Sequence, residues 1–288
     1  MTSAPPISPP PPRFPELPDG VTPPADRMPR WPPWIGPLAL LTGFGVTIML
    51  GVVVGIAAAA SGSKLSHLPA GVSIALTIAQ DVALVGAALF FAQRVVRPRP
   101  WHFGLRPTRF WPAVGWLALG WLGFFVFSAI WAALLSSWGI HQHDKLPKEL
   151  GANSSTAALV AVALIVLVIA PLAEEFFFRG FFFAALRSWK GFWPAALITG
   201  VVFGGIHVGS APPAFLLPLA VFGFVLCAVY ARTGSLYPCI CLHALNNSIA
   251  FGVTQHYKAG VVIALMGGSL AAVSAVMLPL GRRAPRLA

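Results

Sequence analysis

Eight apolar stretches, near residues 35–60, 71–93, 111–137, 156–186, 193–209, 213–231, 236–254 and 260–281, fill most of this chain. A helix needs about 20 apolar residues to cross the hydrocarbon core of a bilayer, and most of these stretches qualify. With 57% hydrophobic and only 9% charged residues, the chain cannot clothe a water-facing surface. A soluble domain carries roughly 25% charged residues. The expected fold is therefore all-α, a polytopic membrane bundle of about eight transmembrane helices with lipid as its main solvent.

Two of the stretches are irregular. The fifth is short, and the fourth runs to 31 residues with Pro171 in its middle. Proline lacks an N–H and clashes with the preceding turn, so a kink or break is expected there. Short or broken helices are tolerated within membranes where they line a protein-buried cavity.

The ends differ in composition. Residues 1–34 hold thirteen of the chain's 28 prolines and read as a disordered, cytoplasmic, polyproline-like tail without the apolar core of a signal peptide. A ligand for proline-binding modules is the alternative use. Residues 35–281 form the membrane domain, and 282–288 a short basic cytoplasmic tail.

The net charge of +11 raises the question of nucleic acid. The basic residues alternate with the apolar stretches instead of forming one face, so they read as topology determinants at an anionic membrane surface, and no nucleic-acid partner is expected. With the N-terminus inside, inner segments hold fourteen of the nineteen Lys and Arg residues and outer segments four, with Arg179 inside the fourth stretch. Both termini are thus expected on the cytoplasmic side of the cell membrane. The three cysteines, Cys227, Cys239 and Cys241, lie in apolar text and suit packing better than a disulfide framework.

Of eight acidic residues, only Asp81, Glu174 and Glu175 fall within spans. A charge at a helix centre costs about 2.5–3.5 kcal/mol on insertion, so each needs a reason. At about 100° per residue, Glu175 and Arg179 lie some 40° apart and can pair, while Glu174 lies about 140° from Arg179 and is the freer carboxylate. A desolvated carboxylate suits a general base. Asp81 has Gln80 as a neighbour that could satisfy it, or it could relay protons.

Two later stretches supply imidazoles. Phe203 and His207 stand one turn apart, with Gly204 and Gly205 between them permitting close helix approach. His243 and Asn247 stand one turn apart on the seventh stretch. At 1.5 Å per residue from the inner ends, Glu174 lies roughly 20–24 Å deep, His207 roughly 21 Å, Asn247 roughly 16 Å and His243 roughly 10 Å. A second cluster, His141-Gln142-His143-Asp144, falls in an outer loop and reads as a solvated turn.

In this order, Glu174-Glu175-x-x-x-Arg179, Phe203-x-x-x-His207 and His243-x-x-x-Asn247 resemble the three motifs of the CAAX protease and bacteriocin-processing (CPBP, or Abi) family. Ala170-Pro171, Arg179-Gly180 and Thr233-Gly234-Ser235-Leu236 are similar too, and Phe103-Gly104-Leu105-Arg106 is a weaker echo. The resemblance covers about residues 156–254. It implies an intramembrane endopeptidase acting on a peptide or protein substrate. In that family pattern Glu174 activates water with His207, His243 and Asn247 stabilise the oxyanion, and Glu175, Arg179 and Phe203 support the site. The family is also labelled metalloprotease, and Glu174, His207 and His243 form a set that zinc accepts, although His-Glu-x-x-His is absent; zinc-dependent and metal-independent mechanisms both stay open. Competing readings are a proton- or ion-coupled transporter and a non-catalytic immunity or scaffold protein.

Overall fold

A computed structural model describes residues 29–62, 68–142 and 146–281. The major helices are α1 (Ile35–Ala60), α2 (Ala70–Ala92), α3 (Phe110–Ser137), α4 (Thr156–Lys190), α5 (Phe192–Gly205), α6 (Pro213–Thr233), α7 (Leu236–Thr254) and α8 (Ala259–Gly281). Seven are long and apolar enough to cross a membrane, and α5, with 14 residues, is the short one. No strand occurs among the described residues, so the all-α, multi-pass architecture expected from the sequence holds.

The helices divide by what surrounds them. Of the 28 residues of α3 only Ala113 and Phe124 are buried, leaving Trp111, Leu119, Leu122 and Ile130 to face outward. An apolar surface of that extent requires lipid. The opposite holds for α7, where Leu236, Cys239, Ile240, Leu242, His243 and Ala244 are all buried. It is the centre post of the bundle and carries two of the polar residues singled out above. Cys227 and Cys239 are free, buried thiols, in keeping with a packing role.

Pro171 does not break α4. The helix runs on as a wider π-turn over Ile165–Ile169, returns to α geometry over Ala170–Glu175, and widens again over Phe176–Phe183. A π-turn bonds each N–H to the carbonyl five residues back, and the extra room relieves the clash that a proline ring makes with a tight turn. Ala170 N–H, for example, donates to Ile165 O. In that register the next donor would be residue 171, and proline has none. The carbonyl left over is that of Val166.

Gly200 and Gly204 hold α5 against α6: an added Cβ would come within 2.6 Å of Ala220 O and of Leu216 O, respectively. Gly223 answers from α6, where a Cβ would lie 2.9 Å from that of Phe203. Gly205, by contrast, faces open space. Of the two glycines expected to permit close approach, only Gly204 does so.

At one end of the bundle the text around the family echo becomes a clasp. Residues Pro100–Phe103 form a 3₁₀ turn that ends on Gly104 at φ +89°. Leu236 N–H donates to Gly104 O at 2.8 Å, Ser235 Oγ to Arg106 O at 2.6 Å, and Arg106 Nε to Gly234 O at 2.6 Å. Gly104 has no room for a side chain, since a Cβ would meet the Tyr230 ring at 2.6 Å. Gly180 is equally constrained, by Phe103 O at 2.7 Å. Phe103-Gly104-Leu105-Arg106 and Thr233-Gly234-Ser235-Leu236 thus pin α6, α7 and α4 to one loop.

The last residues of the proline-rich segment also belong to the fold. Trp31 is buried, its ring 5.5 Å from those of Phe103 and Phe181, and Ser188 Oγ donates to its carbonyl. The bundle thus offers an aromatic slot for one tryptophan that precedes α1. Residues 1–28 and 282–288 lie outside the described residues.

The glycine contacts make a direct prediction. Gly204→Leu is expected to cost about 2 kcal/mol or more by overpacking, whereas Gly205→Leu is expected to change stability little. Thermal unfolding of the two purified variants in the same detergent checks the contrast.

Candidate functional site

The site grows from one buried ion pair. Arg179 and Glu175, one turn apart as the spacing predicts, join through Nη1 and Oε1 at 2.7 Å with both side chains fully buried. Arg179 also donates from Nη2 to Gly223 O at 3.0 Å, and its guanidinium lies 4.5 Å over the Phe203 ring. A buried charge is tolerable only when paired and hydrogen-bonded, and Arg179 meets that demand from two helices at once.

Glu175 Oε1 then takes a second donor, His243 Nδ1, at 2.8 Å. An ionised carboxylate only accepts, so Nδ1 carries hydrogen and the other ring nitrogen, Nε2, faces onward. It faces Glu174, whose Oε2 is 3.9 Å away. Glu174 is 14% exposed, and its Oε2 has no hydrogen-bond partner among the described residues. Arg179, Glu175 and His243 thus form a hydrogen-bonded row from α4 and α7, and Glu174 lies just beyond its end as a carboxylate oxygen with capacity to spare.

Aromatic rings wall this row. Phe203 lies 5.1 Å from the His207 ring and 5.9 Å from the His243 ring, while Phe222 meets His243 edge-on at 5.6 Å. His207, half-buried just beyond the end of α5, gives Nδ1 to Phe203 O at 2.7 Å. A carbonyl accepts only, so the Nδ1–H form is required and Nε2 is left as an acceptor when the ring is neutral.

Asn247 completes the arrangement in an unforeseen way. Its Nδ2 donates to Val166 O at 2.9 Å, the carbonyl that Pro171 leaves without a backbone donor in the π register. One amide hydrogen is used there, and a second remains.

The structure therefore brings Glu174, Glu175, Arg179, Phe203 and His243 into contact, with His207 across the Phe203 ring and Asn247 one turn beyond His243. Counted at 1.5 Å per residue, Glu174, His207 and Asn247 share one band and His243 is a turn or so shallower, close enough for tilt and kink to bring them together. Glu174 and His243 are indeed neighbours. Phe222, Gly223 and Val166 escaped sequence reasoning because nothing distinguishes them from other apolar text, and two of them act through backbone carbonyls. Asp81 is buried on α2, which packs on the Ala170–Glu175 turn, and its Oδ2 has no partner among the described residues. Its neighbour Gln80 does not satisfy that oxygen.

Zinc ligands are not assembled. Among the described residues no group of three or more His, Cys, Asp or Glu side chains is placed to hold a metal. His243 keeps Nε2 free of the Glu175 contact, but His207 stands across the Phe203 ring from it. The set Glu174, His207 and His243 thus lacks the three converging donors of a zinc centre. Of the loop cluster, His143 and Asp144 lie outside the described residues.

The fold and the site together define a multi-pass helical membrane protein with a buried carboxylate–imidazole centre. Residues 156–249 match the family model described as type II CAAX prenyl endopeptidase Rce1-like, so the resemblance to CAAX-type (CPBP) proteases is shown over that third of the chain. The chain is 35% identical over 91 residues to "Putative membrane peptidase YdiL" of Bacillus subtilis (strain 168). It is 30% identical over 80 residues to "UPF0177 protein YxdF" of Lactococcus lactis subsp. lactis (strain IL1403). These alignments take in 31% and 28% of this chain and 36% and 42% of the two relatives. No solved structure matches at a significant level.

The Pro171–Asn247 relation is testable by a double-mutant cycle. Asn247→Ala is expected to lower stability by about 1–3 kcal/mol, the cost of an unsatisfied buried carbonyl. In a Pro171→Ala background, where a backbone N–H is restored, the same substitution is expected to cost about 1 kcal/mol less. Denaturation of the four proteins in one detergent measures the coupling.

Proposed function

We propose that this protein is an intramembrane endopeptidase of the CAAX-protease type that hydrolyses a peptide bond with water activated by Glu174. One observation carries the reading: the Glu174 oxygen that has no partner among the described residues, 3.9 Å from a His243 ring whose other nitrogen is held by a buried carboxylate. The match of residues 156–249 to an endopeptidase family supports it.

In this reading Glu174 removes a proton from water, with His207 Nε2 as a second acceptor at the opening, and the hydroxide attacks the scissile carbonyl. The tetrahedral oxyanion needs donors already aimed at it. His243 Nε2 supplies one when the ring is doubly protonated, and the second amide hydrogen of Asn247 supplies the other. The charges then balance, with Arg179 and His243 positive and Glu174 and Glu175 negative. Collapse of the intermediate passes the proton to the leaving amine and frees the new carboxylate. Glu175 and Arg179 position His243, and Phe203 keeps the two imidazoles apart. The substrate class is a peptide or protein segment presented at the membrane; a prenylated C-terminal tail is the first candidate.

Wild-type protein is expected to cleave a farnesylated CAAX-type peptide, with Glu174→Gln and His207→Ala losing roughly a hundredfold or more without a matching loss of thermal stability. Because the donors are not grouped as a zinc site, chelation is expected to leave the rate unchanged. Equal cleavage by all three proteins would falsify the assignment, and ion flux in proteoliposomes without cleavage would favour a transporter.

We also infer that both termini are cytoplasmic. The alternation of basic loops supports this, as does the gathering of Arg30, Arg106 and Arg187 at one end of the bundle. Single cysteines at positions 190 and 258 are expected to differ in intact cells. Lys258→Cys should react with an impermeant maleimide from outside, and Lys190→Cys only after permeabilisation. The reverse pattern overturns the orientation.

A further inference from the structure

A cavity of about 650 Å³ opens at the end of the bundle where α1 begins and α4 and α6 finish. Arg30, Arg106 and Arg187 line it together with His102, Ser188 and Tyr230, and no carboxylate does so among the described residues. It lies apart from the row around Glu174, sharing no residue with it.

The chemistry of the lining selects a ligand. Both hydroxyls have spent their hydrogens, Ser188 Oγ on the carbonyls of Trp31 and Ala185 and Tyr230 Oη on that of Phe103. His102 Nδ1 accepts from Arg99 N–H at 3.2 Å, which leaves the hydrogen on Nε2. Burial, and after it the Arg99 guanidinium, pull this imidazole below its ordinary value, so the cavity's charge comes from arginines. Two of the carbonyls at the end of α6 are already taken, Gly234 O by Arg106 Nε and Thr233 O by Thr108 Oγ1. Arg30 and Arg187 thus bring exposed guanidinium donors to a concave surface that also holds one imidazole N–H and the charge of Arg106. Guanidinium forks match the oxygens of phosphate bidentately, and a membrane surface presents phosphate in its lipid headgroups.

We propose that this cavity binds a phosphate group, carried either by an anionic phospholipid headgroup or by a free phosphate. Arg30 and Arg187, the exposed members, grip its oxygens, and Arg106 sets the charge at the floor while tied to the Gly234 turn. Occupancy ties the loop at residues 100–106 to the ends of α4 and α6.

The test uses the full chain in nanodiscs of phosphatidylcholine, with binding read by native mass spectrometry and by the rise in unfolding temperature. The additions are phosphatidylglycerol in one arm and inorganic phosphate in the other. Wild type is expected to bind in at least one arm, saturably, and the double variant Arg30→Gln/Arg187→Gln to bind roughly tenfold more weakly. Arg97→Gln/Arg109→Gln removes the same charge from exposed positions outside the cavity and is expected to bind as wild type. Saturation by phosphatidylglycerol alone identifies a lipid site; protection by inorganic phosphate identifies a soluble ligand. Equal weakening in both double variants, or saturable binding in neither arm, overturns the proposal.

Discussion

The buried guanidinium of Arg179 is the interaction on which the rest depends. In a bundle whose solvent is hydrocarbon, one fully buried charge dictates the placement of the polar groups around it. It draws Glu175 into the interior, takes the Gly223 carbonyl from a neighbouring helix, and lies on the face of Phe203. Glu175, once fixed, holds His243, and His243 in turn faces Glu174. Charge neutrality inside the membrane and a defined ring orientation at His243 are therefore consequences of the same contact.

Backbone irregularity serves that cluster. In a uniform α4 the proline would orphan the carbonyl of Leu167, four residues back, and side chains would follow a regular 100° spiral. The π turn moves that orphan to Val166, where Asn247 satisfies it, and a second π segment resets the faces of the helix beyond Glu175. Pro171 stands between these segments, and it costs little because a side chain on α7 supplies the missing donor. Close helix contact at Gly200, Gly204 and Gly223 then carries Phe203 up to the arginine.

Much of this was legible in the residues. Hydropathy alone placed the eight helices, including the short α5, because burial in lipid leaves a signal longer than any loop can mimic. Helical angle paired Glu175 with Arg179 and left Glu174 apart. Depth counting left His243 a turn or so shallower than Glu174, because a uniform rise records neither tilt nor the π turns of α4. The helix-to-π change follows from packing of six phenylalanines and a proline that no periodicity records. Trp31 went unread for a similar reason: a tryptophan among prolines looks like tail until its slot between Phe103 and Phe181 exists. The partner of His243 was also hidden, since two adjacent glutamates differ in sequence by one position and in space by which face of α4 they take.

The length of α5 has a further consequence. Fourteen residues rise only about 21 Å, short of the roughly 30 Å hydrocarbon thickness. The chain therefore leaves helical form short of a full crossing, and the turn that follows closes on itself, through Val208 N–H to Gly205 O and through Ser210 and Ala211 N–H to His207 O. That turn fixes His207 against Phe203 at the end of α5. A helix too short to cross thus ends where an imidazole can sit beside buried aromatic rings.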